Sequence, residues 1–194
     1  NCHPFMWGRY LWMHNGVVAG FSQIKRTLLA TLSDAAYNAI QSFHSDSAVS
    51  FAVFLHHLPD MTSAHPPEVL LHAMEATIAT IQSVQRQHSI SDSSLLNYCL
   101  SDGTTLVATR FVSPATHDAA SLYYAEGHEF VRTGSGSGGP GEGCSRCGTT
   151  NRNPTTSSVL HESSYELTYG ARGARVAFVS SEPITASTAD WVAV

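Results

Sequence analysis

The hydrophobic pattern of the chain changes from helical to strand-like near residue 90, and this change limits the fold more than any other feature of the sequence. Between residues 21 and 87 the apolar side chains recur at three- and four-residue spacing, which is typical of helices. Helices are predicted at 21–32, 35–41, within 43–58 and at 67–87. Strands are predicted before Asn15 and then at 94–100, 104–112, 121–125, 165–169 and 175–180. A strand, then helices, then further strands indicate one α+β layered domain.

The composition fits a globular domain and gives no support to several classes of partner. The 194 residues suffice for one domain with a sizeable core, which we place at 1–194. The net charge of −5 argues against nucleic acid or an anionic membrane as a partner. No run of about 18 apolar residues predicts a membrane span. The four cysteines do not form the pattern of a disulfide framework, so we expect an intracellular, cytoplasmic protein.

The tripeptide His14-Asn15-Gly16 follows a short apolar run and is the first candidate for chemistry. An Asn-Gly pair in this position predicts a tight turn at the end of a strand. Such a turn would expose the side-chain amide of Asn15 beside the backbone N–H of Gly16. Two adjacent donors are what an oxyanion hole needs. The alternative is a plain hairpin turn, for which Asn-Gly is also a common choice.

Asp46 lies between Ser45 and Ser47, directly before an almost wholly apolar helix. Any of these three residues can cap the helix, and capping by Asp46 would account for the residue without any ligand. The functional interpretation is a carboxylate that is held at a helix start and binds the ammonium group of a substrate.

The cysteines and the Gly-rich segment offer weaker signals. Residues 132–158 are rich in Gly, Ser, Pro and Thr, which predicts a flexible surface insertion. Its Cys144 and Cys147 form a lone CxxC pair, whereas a zinc site needs four ligands, so neither a metal nor a cofactor is predicted. Cys2 is next to His3, but adjacent residues of an extended segment point apart, which favours a structural cysteine over a nucleophile.

Taken in order, the motifs resemble the class II glutamine amidotransferases. They are NCHPF, GRYLWMHNG, FSQIKRTLLATL, HSDSAVSFAVFL, SLLNYCLSDGTTLVATRFV, SLYYAEG and VAFVSSEPIT, followed by DW. More narrowly, they resemble the fungal-type amidotransferase subunit of the glutathione degradation complex. The resemblance covers nearly the whole chain outside the 132–158 segment.

The resemblance implies a fold and a set of site residues. The fold is that of an N-terminal-nucleophile hydrolase, in which two antiparallel sheets stack between helical layers in four layers, αββα. Asn15 and Gly16 match the oxyanion hole of the family, and Asp46 matches the residue that binds the α-ammonium of a glutamine or γ-glutamyl group. His14 is assigned with Asp46 to substrate binding. Ala48 stands where the family usually has Glu.

One part of the family pattern is missing from this sequence. The family nucleophile is a cysteine at the mature N-terminus, upstream of the segment that matches NCHPF, and an upstream arginine that grips the substrate carboxylate is also expected. Cys2 matches a variable position of that segment and not the nucleophile. We therefore expect a fragment that lacks its first strands, from a parent enzyme that is active although this chain alone is not.

The function implied for the parent is cleavage of a γ-glutamyl amide, either glutathione or glutamine, through a cysteine thioester. A metallopeptidase-like subunit of the glutathione degradation complex is the implied partner. One alternative is a non-catalytic amidotransferase-like subunit or scaffold that binds a partner. Another is the amidotransferase half of a biosynthetic synthase, for which the sequence shows no synthase domain.

Overall fold

The computed structural model describes residues 3–115, 118–133, 164–168, 176–185 and 187–194. Within these ranges the chain forms helices and antiparallel strands, so the predicted α+β class is confirmed. The helices are α1 (Phe21–Ala30), α2 (Asp34–Asn38), α3 (Asp46–His57) and α4 (Pro67–Gln87). The strands are β1 (Phe5–Trp7), β2 (Tyr10–Val17), β3 (Ser94–Ser101), β4 (Leu106–Ala108), β5 (Val112–Ser113), β6 (Tyr123–Gly127), β7 (Glu129–Thr133), β8 (Ser164–Thr168), β9 (Val176–Ser180) and β10 (Val192–Ala193).

A five-stranded antiparallel sheet forms the centre of the fold. Its strands run in the order β1-β2-β3-β4, and β5 also pairs with β3. The pairing of β2 with β3 extends from Leu11 opposite Ser101 to Val17 opposite Leu95. Alternate residues of a strand point to the same face, so one face of this sheet can bury apolar side chains against the helices.

An aromatic cluster joins that sheet to the helices. The ring centroid of Trp12 on β2 lies 4.5 Å from that of Tyr98 on β3. It lies 5.7 Å from the ring centroid of Phe51 and 5.5 Å from that of Phe54, both on α3. Every residue of α3 from Ser47 to Leu55 is buried, as its apolar sequence predicts. Helices α1 and α4 contribute to the same core, so the helices form a layer on one face of the sheet.

The C-terminal strands form smaller sheets with a core of their own. A three-stranded sheet has the order β10-β6-β9, and β7 pairs with β8. Ala125, Leu167 and Trp191 form the buried cluster between them. The four-layer arrangement implied by the resemblance stays a prediction.

The predicted turn at Asn15-Gly16 is wrong. Both residues belong to β2 and pair with Asn97 and Leu96 of β3, and the actual turn between β1 and β2 is at Gly8 and Arg9. Gly16 has a φ of +148°, and a Cβ added there would lie 1.9 Å from the carbonyl oxygen of Leu95. Glycine is therefore required by the close approach of the neighbouring strand and not by a turn.

The predicted strand at 104–112 is interrupted, and Thr109 is the reason. Its hydroxyl accepts the N–H of Tyr98 at 3.1 Å and donates to the carbonyl of Leu96 at 2.8 Å. The Thr109 hydroxyl thus takes the place of a backbone acceptor for Tyr98, while the Thr109 N–H still donates to the Tyr98 carbonyl at 2.9 Å, and the predicted strand is divided here into β4 and β5. The predicted hairpin at Asp102-Gly103 is confirmed, since β3 and β4 pair across it and the Asp102 carboxylate accepts the N–H of Thr105 at 2.7 Å.

The helices follow their sequence patterns closely. α4 has the predicted bounds, with Pro67 in its first turn. α1 ends two residues before the predicted Leu32, where the Thr31 hydroxyl donates to the carbonyl of Leu28 at 2.7 Å. α2 is shorter than the predicted 35–41.

Several predictions fall largely on residues outside the described ranges. These are the insertion at 132–158, apart from its first two residues, together with Cys2, Cys144 and Cys147. The first two residues of the insertion belong to β7, a strand that the sequence pattern does not predict. In the described ranges, no helix combines the length and the apolar character needed to cross a membrane.

Substitution of Trp12 by alanine is expected to lower the free energy of unfolding by about 3–5 kcal/mol, because it removes a fully buried ring from the aromatic cluster. Urea unfolding measures this change. Met13→Ala is the matched control, since Met13 is the next residue on β2 but is 51% exposed, and it should change stability by less than about 1 kcal/mol. Equal effects of the two substitutions would contradict the assigned faces of β2.

Gly16→Ala is expected to cost about 2–4 kcal/mol of unfolding free energy, because the new Cβ meets backbone and the φ angle is unfavourable. Gly103→Ala is the control: φ is +89° there, but a Cβ would meet no atom within 4 Å. This control isolates the cost of the backbone angle, about 1 kcal/mol. If Gly16→Ala were no worse than Gly103→Ala in the same urea assay, the close approach to Leu95 would not exist.

Candidate active site

The candidate oxyanion-hole residues lie near the C-terminal end of β2. Asn15 and Gly16 are opposite Asn97 and Leu96 of β3. Asn15 is exposed, whereas His14 before it is buried on the helical side. Because neighbouring residues of a strand point to opposite faces, the amide of Asn15 is open to a ligand from the face away from the helices.

A cavity of about 300 Å³ opens beside Asn15. Its lining includes Asn97 and Cys99 of β3, and Ser180 and Ser181 at the end of β9. Ser181 begins the Ser-Glu-Pro motif, so the fold brings this motif to the His-Asn-Gly motif although the two are far apart in sequence. Another cavity, of about 350 Å³, is lined by residues such as Trp7 and His56 and contains none of the predicted site residues.

Asn97 is a buried polar residue on this cavity that sequence reasoning missed. Its side-chain amide donates to the carbonyls of Ala120 and Ser121 at 3.0 and 3.2 Å, and its oxygen accepts the N–H of Phe111 at 3.3 Å. Asn97 therefore fixes the segment before β6 against β3 and shapes one wall of the cavity. Its only signal in the sequence is a polar residue inside the apolar run at 94–100.

The Asp46 carboxylate is not the cap of α3. The hydroxyl of Ser45 occupies that role and accepts the N–H of Ala48 at 3.3 Å. Asp46 instead reaches the chain that follows β2: its Oδ2 accepts the N–H of Val18 at 3.0 Å, and its Oδ1 accepts the N–H of Ser47 at 2.8 Å. The structure thus joins Asp46 to the segment that begins at Asn15.

No cationic side chain neutralises Asp46 in the described part of the chain. Two backbone N–H groups donate to it there, and the Ser47 hydroxyl lies 3.4 Å from its Oδ1. An ionised carboxylate has about four lone-pair sites, so it can accept more hydrogen bonds than these. A carboxylate of this kind is suited to binding an ammonium group.

His14 is held by hydrogen bonds at both ring nitrogens. Its Nε2 lies 3.0 Å from the carbonyl oxygen of Leu95, and its Nδ1 lies 3.0 Å from the hydroxyl of Ser47. A carbonyl only accepts, so Nε2 carries the proton and, in the neutral ring, Nδ1 accepts from Ser47. Burial lowers the pKa of His14, mainly through desolvation, so the ring is neutral at pH 7.

These contacts bear on the assigned role of His14. The prediction that His14 binds substrate stays a prediction, but both ring nitrogens are already engaged within the protein. Ser47, which connects His14 to Asp46, was missed as a site residue. The sequence places it directly after Asp46 but gives no sign of the partner on β2.

The thiol on this cavity is not an activated nucleophile. Cys99 lines the cavity, but burial raises the pKa of its thiol to about 11, so it is protonated at pH 7. No group of three or more His, Cys, Asp or Glu side chains is placed to hold a metal ion within the described ranges.

Comparisons with known proteins agree on one family. The chain is 32% identical over its full length to probable glutamine amidotransferase DUG3 of Saccharomyces cerevisiae, and it spans about half of that protein's length, 50%. Among solved structures, it is similar to a glutamine aminotransferase class-II domain protein from Silicibacter pomeroyi. That match has a TM-score of 0.53 and 32% identity, and it covers 63% of this chain and 51% of the other.

No family model matches the chain. The two relatives nevertheless confirm the resemblance that the ordered motifs predict, since one agrees in sequence along the whole chain and the other agrees in both sequence and fold. The chain is therefore similar, in sequence and in fold, to glutamine amidotransferases of class II.

Proposed function

We propose that the full-length protein containing this chain cleaves a γ-glutamyl amide, either glutathione or glutamine, through a cysteine thioester. The observation that carries the proposal is the Asp46 carboxylate, which is relieved of helix capping by Ser45 and is held against Val18, two residues after Gly16. It would bind the α-ammonium of the γ-glutamyl group. The groups that donate hydrogen bonds to Asp46 in the described part of the chain are uncharged, which supports a cationic ligand.

The oxyanion is assigned to Asn15 and Gly16. The side-chain amide of Asn15 and the backbone N–H of Gly16 would donate to the oxygen that becomes negative when the amide carbonyl is attacked. The exposure of Asn15 beside a cavity of about 300 Å³ supports this assignment.

The nucleophile implied by the resemblance is a cysteine at the mature N-terminus, upstream of residue 1. Its thiolate would attack the amide carbon and form a C–S bond, and the α-amino group of the same residue would serve as the base. The C–N bond then breaks, the amine leaves with a proton, and water attacks the thioester to release glutamate and restore the thiol. The chain described here would contribute the oxyanion donors and the ammonium acceptor.

We extend the proposal to the fold and the assembly. The central sheet with its helical layer would be half of an αββα N-terminal-nucleophile hydrolase, with residues 1–194 in one domain. The protein would act in the cytoplasm in glutathione breakdown, together with a metallopeptidase-like subunit. The motif order NCHPF to SSEPIT and the match to a probable glutamine amidotransferase support this extension.

Asn15→Ala in the full-length protein is expected to lower kcat for γ-glutamyl hydrolysis by about 10²–10³, because one oxyanion donor is lost. Release of glutamate from glutathione and from glutamine measures the rate. Asn38→Ala, at an exposed asparagine in α2, is the control and should leave kcat within about twofold. An unchanged rate in Asn15→Ala would overturn the oxyanion assignment, and no turnover by the wild type would favour a non-catalytic subunit.

Asp46→Asn is expected to raise KM for the γ-glutamyl substrate by about ten- to a hundredfold, because the amide keeps an acceptor for Val18 but loses the charge that pairs with the ammonium. Initial rates over a range of substrate concentration measure it. A substrate without the α-amino group should be used equally poorly by the wild type and the variant.

Asp34→Asn is the matched control for that substitution. Asp34 is also the first residue of a helix, and the hydroxyl of Ser33 caps that helix as Ser45 caps α3. The control therefore removes the same charge from the same helical position without touching the site. If both substitutions left KM unaltered, the ammonium role of Asp46 would be excluded.

A further inference from the structure

The hydroxyl of Ser47 lies between two acceptors and has one proton to give. Nδ1 of His14 is 3.0 Å from it, and Oδ1 of Asp46 is 3.4 Å from it. The hydroxyl can satisfy only one of them at a time. Whether Nδ1 of His14 is a hydrogen-bond acceptor therefore decides whether Asp46 receives a third donor.

The carbonyl of Leu95 fixes the tautomer of His14. Because this carbonyl accepts the Nε2 proton of His14, the neutral ring presents a lone pair at Nδ1. The shorter distance then directs the Ser47 proton to His14 and not to Asp46. Asp46 keeps only its two backbone donors, from Val18 and Ser47.

His14 and Ser47 are polar residues in largely apolar surroundings. His14 and Ser47 are each only 6% exposed, and the His14 ring packs 4.7 Å from that of Tyr98 beside the aromatic cluster. Apolar side chains of similar volume would fill such a place at little or no cost in stability. A role in the adjoining site accounts for polar groups there.

We propose that His14 and Ser47 are positioning residues that hold the Ser47 hydroxyl proton away from Asp46, which leaves the Asp46 carboxylate open to an ammonium ligand. The inference rests on the proposed function, because it specifies how the ammonium site is prepared. It also changes the role assigned to His14, which acts on the ligand through Ser47 and Asp46 without touching it.

A double-substitution cycle in the full-length protein tests the proposal. His14→Phe keeps a ring against Tyr98 but removes the acceptor, so the Ser47 hydroxyl turns to Asp46 and competes with the ammonium. KM for the γ-glutamyl substrate is expected to rise about three- to tenfold. Adding Ser47→Ala removes the competing hydroxyl, so KM of the double variant should return most of the way to the wild-type value. The hydrogen bond to Leu95 is absent from the single His14→Phe variant and from the double variant alike, so it does not affect this comparison.

Recovery is the outcome that a merely structural role would not produce. Two losses of packing or hydrogen bonding would add, and the double variant would then be as poor as His14→Phe or poorer, which would overturn the proposal. Ser47→Ala alone completes the cycle. His88→Phe is the control, since His88 also pairs with a hydroxyl, that of Thr27 at 2.7 Å, but on the surface away from the site.

A ¹⁵N NMR measurement of the His14 ring keeps the proposal testable if His14→Phe does not fold. At pH 7 the wild type should show a neutral ring with the proton on Nε2 and a hydrogen-bonded Nδ1, and Ser47→Ala should shift the Nδ1 resonance without changing the tautomer. A proton on Nδ1 would overturn the proposal. If Asp46→Asn leaves KM unaltered, the proposed function and this inference both fail. If Asp46→Asn raises KM but the double variant shows no recovery, this inference alone fails.

Discussion

The antiparallel register of β2 and β3 is the constraint on which both the core and the candidate active site depend. It places Trp12 opposite Leu100 and His14 opposite Tyr98 on the helical face, and Asn15 opposite Asn97 on the other face. A slip of one residue would move the aromatic side chains out of the core and Asn15 into it. The burial of Trp12 against α3 therefore also keeps the Asn15 amide exposed, so fold stability and the orientation of the site have one cause.

Buried polar contacts then fix the chain where β2 ends. The N–H of Val18 donates to Asp46 of α3, and the N–H of Ala19 donates to the hydroxyl of Ser94 on β3 at 2.9 Å. The side chain of Gln85 on α4 donates both to that hydroxyl and to the carbonyl of Ala19. Two consecutive residues are thus tied to three elements, and each polar group is buried at low cost because it has a partner. The segment after Gly16 cannot shift relative to Asp46 without breaking several of these bonds.

The helices could be predicted from sequence, but the surroundings of the candidate residues could not. The period of α4 and its Pro67 are local signals, and they located both of its ends. The Asn15-Gly16 pair predicts a turn because turns commonly need a glycine with positive φ. A strand that passes close by needs a glycine as well, and only the position of Leu95 distinguishes the two cases. Likewise, nothing local to Thr109 says that its hydroxyl will bond to backbone groups of β3. The Asn15, Gly16 and Asp46 assignments came from the order of motifs, whereas Ser47 and Asn97 emerge only from contacts across the fold.

The position of Asp46 in the first turn of α3 explains why its hydrogen bonds matter. The positive end of the helix stabilises an ionised carboxylate, but the same end disfavours a cation placed beside it. An ammonium ligand would therefore bind only if its attraction to the carboxylate exceeds its repulsion from the positive end of the helix. Each hydrogen bond that the carboxylate already accepts weakens that attraction. Capping by Ser45 removes one demand on Asp46, and acceptance of the Ser47 proton by His14 would remove another. In this proposal the Ser-Asp-Ser sequence divides three tasks: the first serine caps the helix, the aspartate is left to bind a ligand, and the second serine donates its proton to His14 on β2.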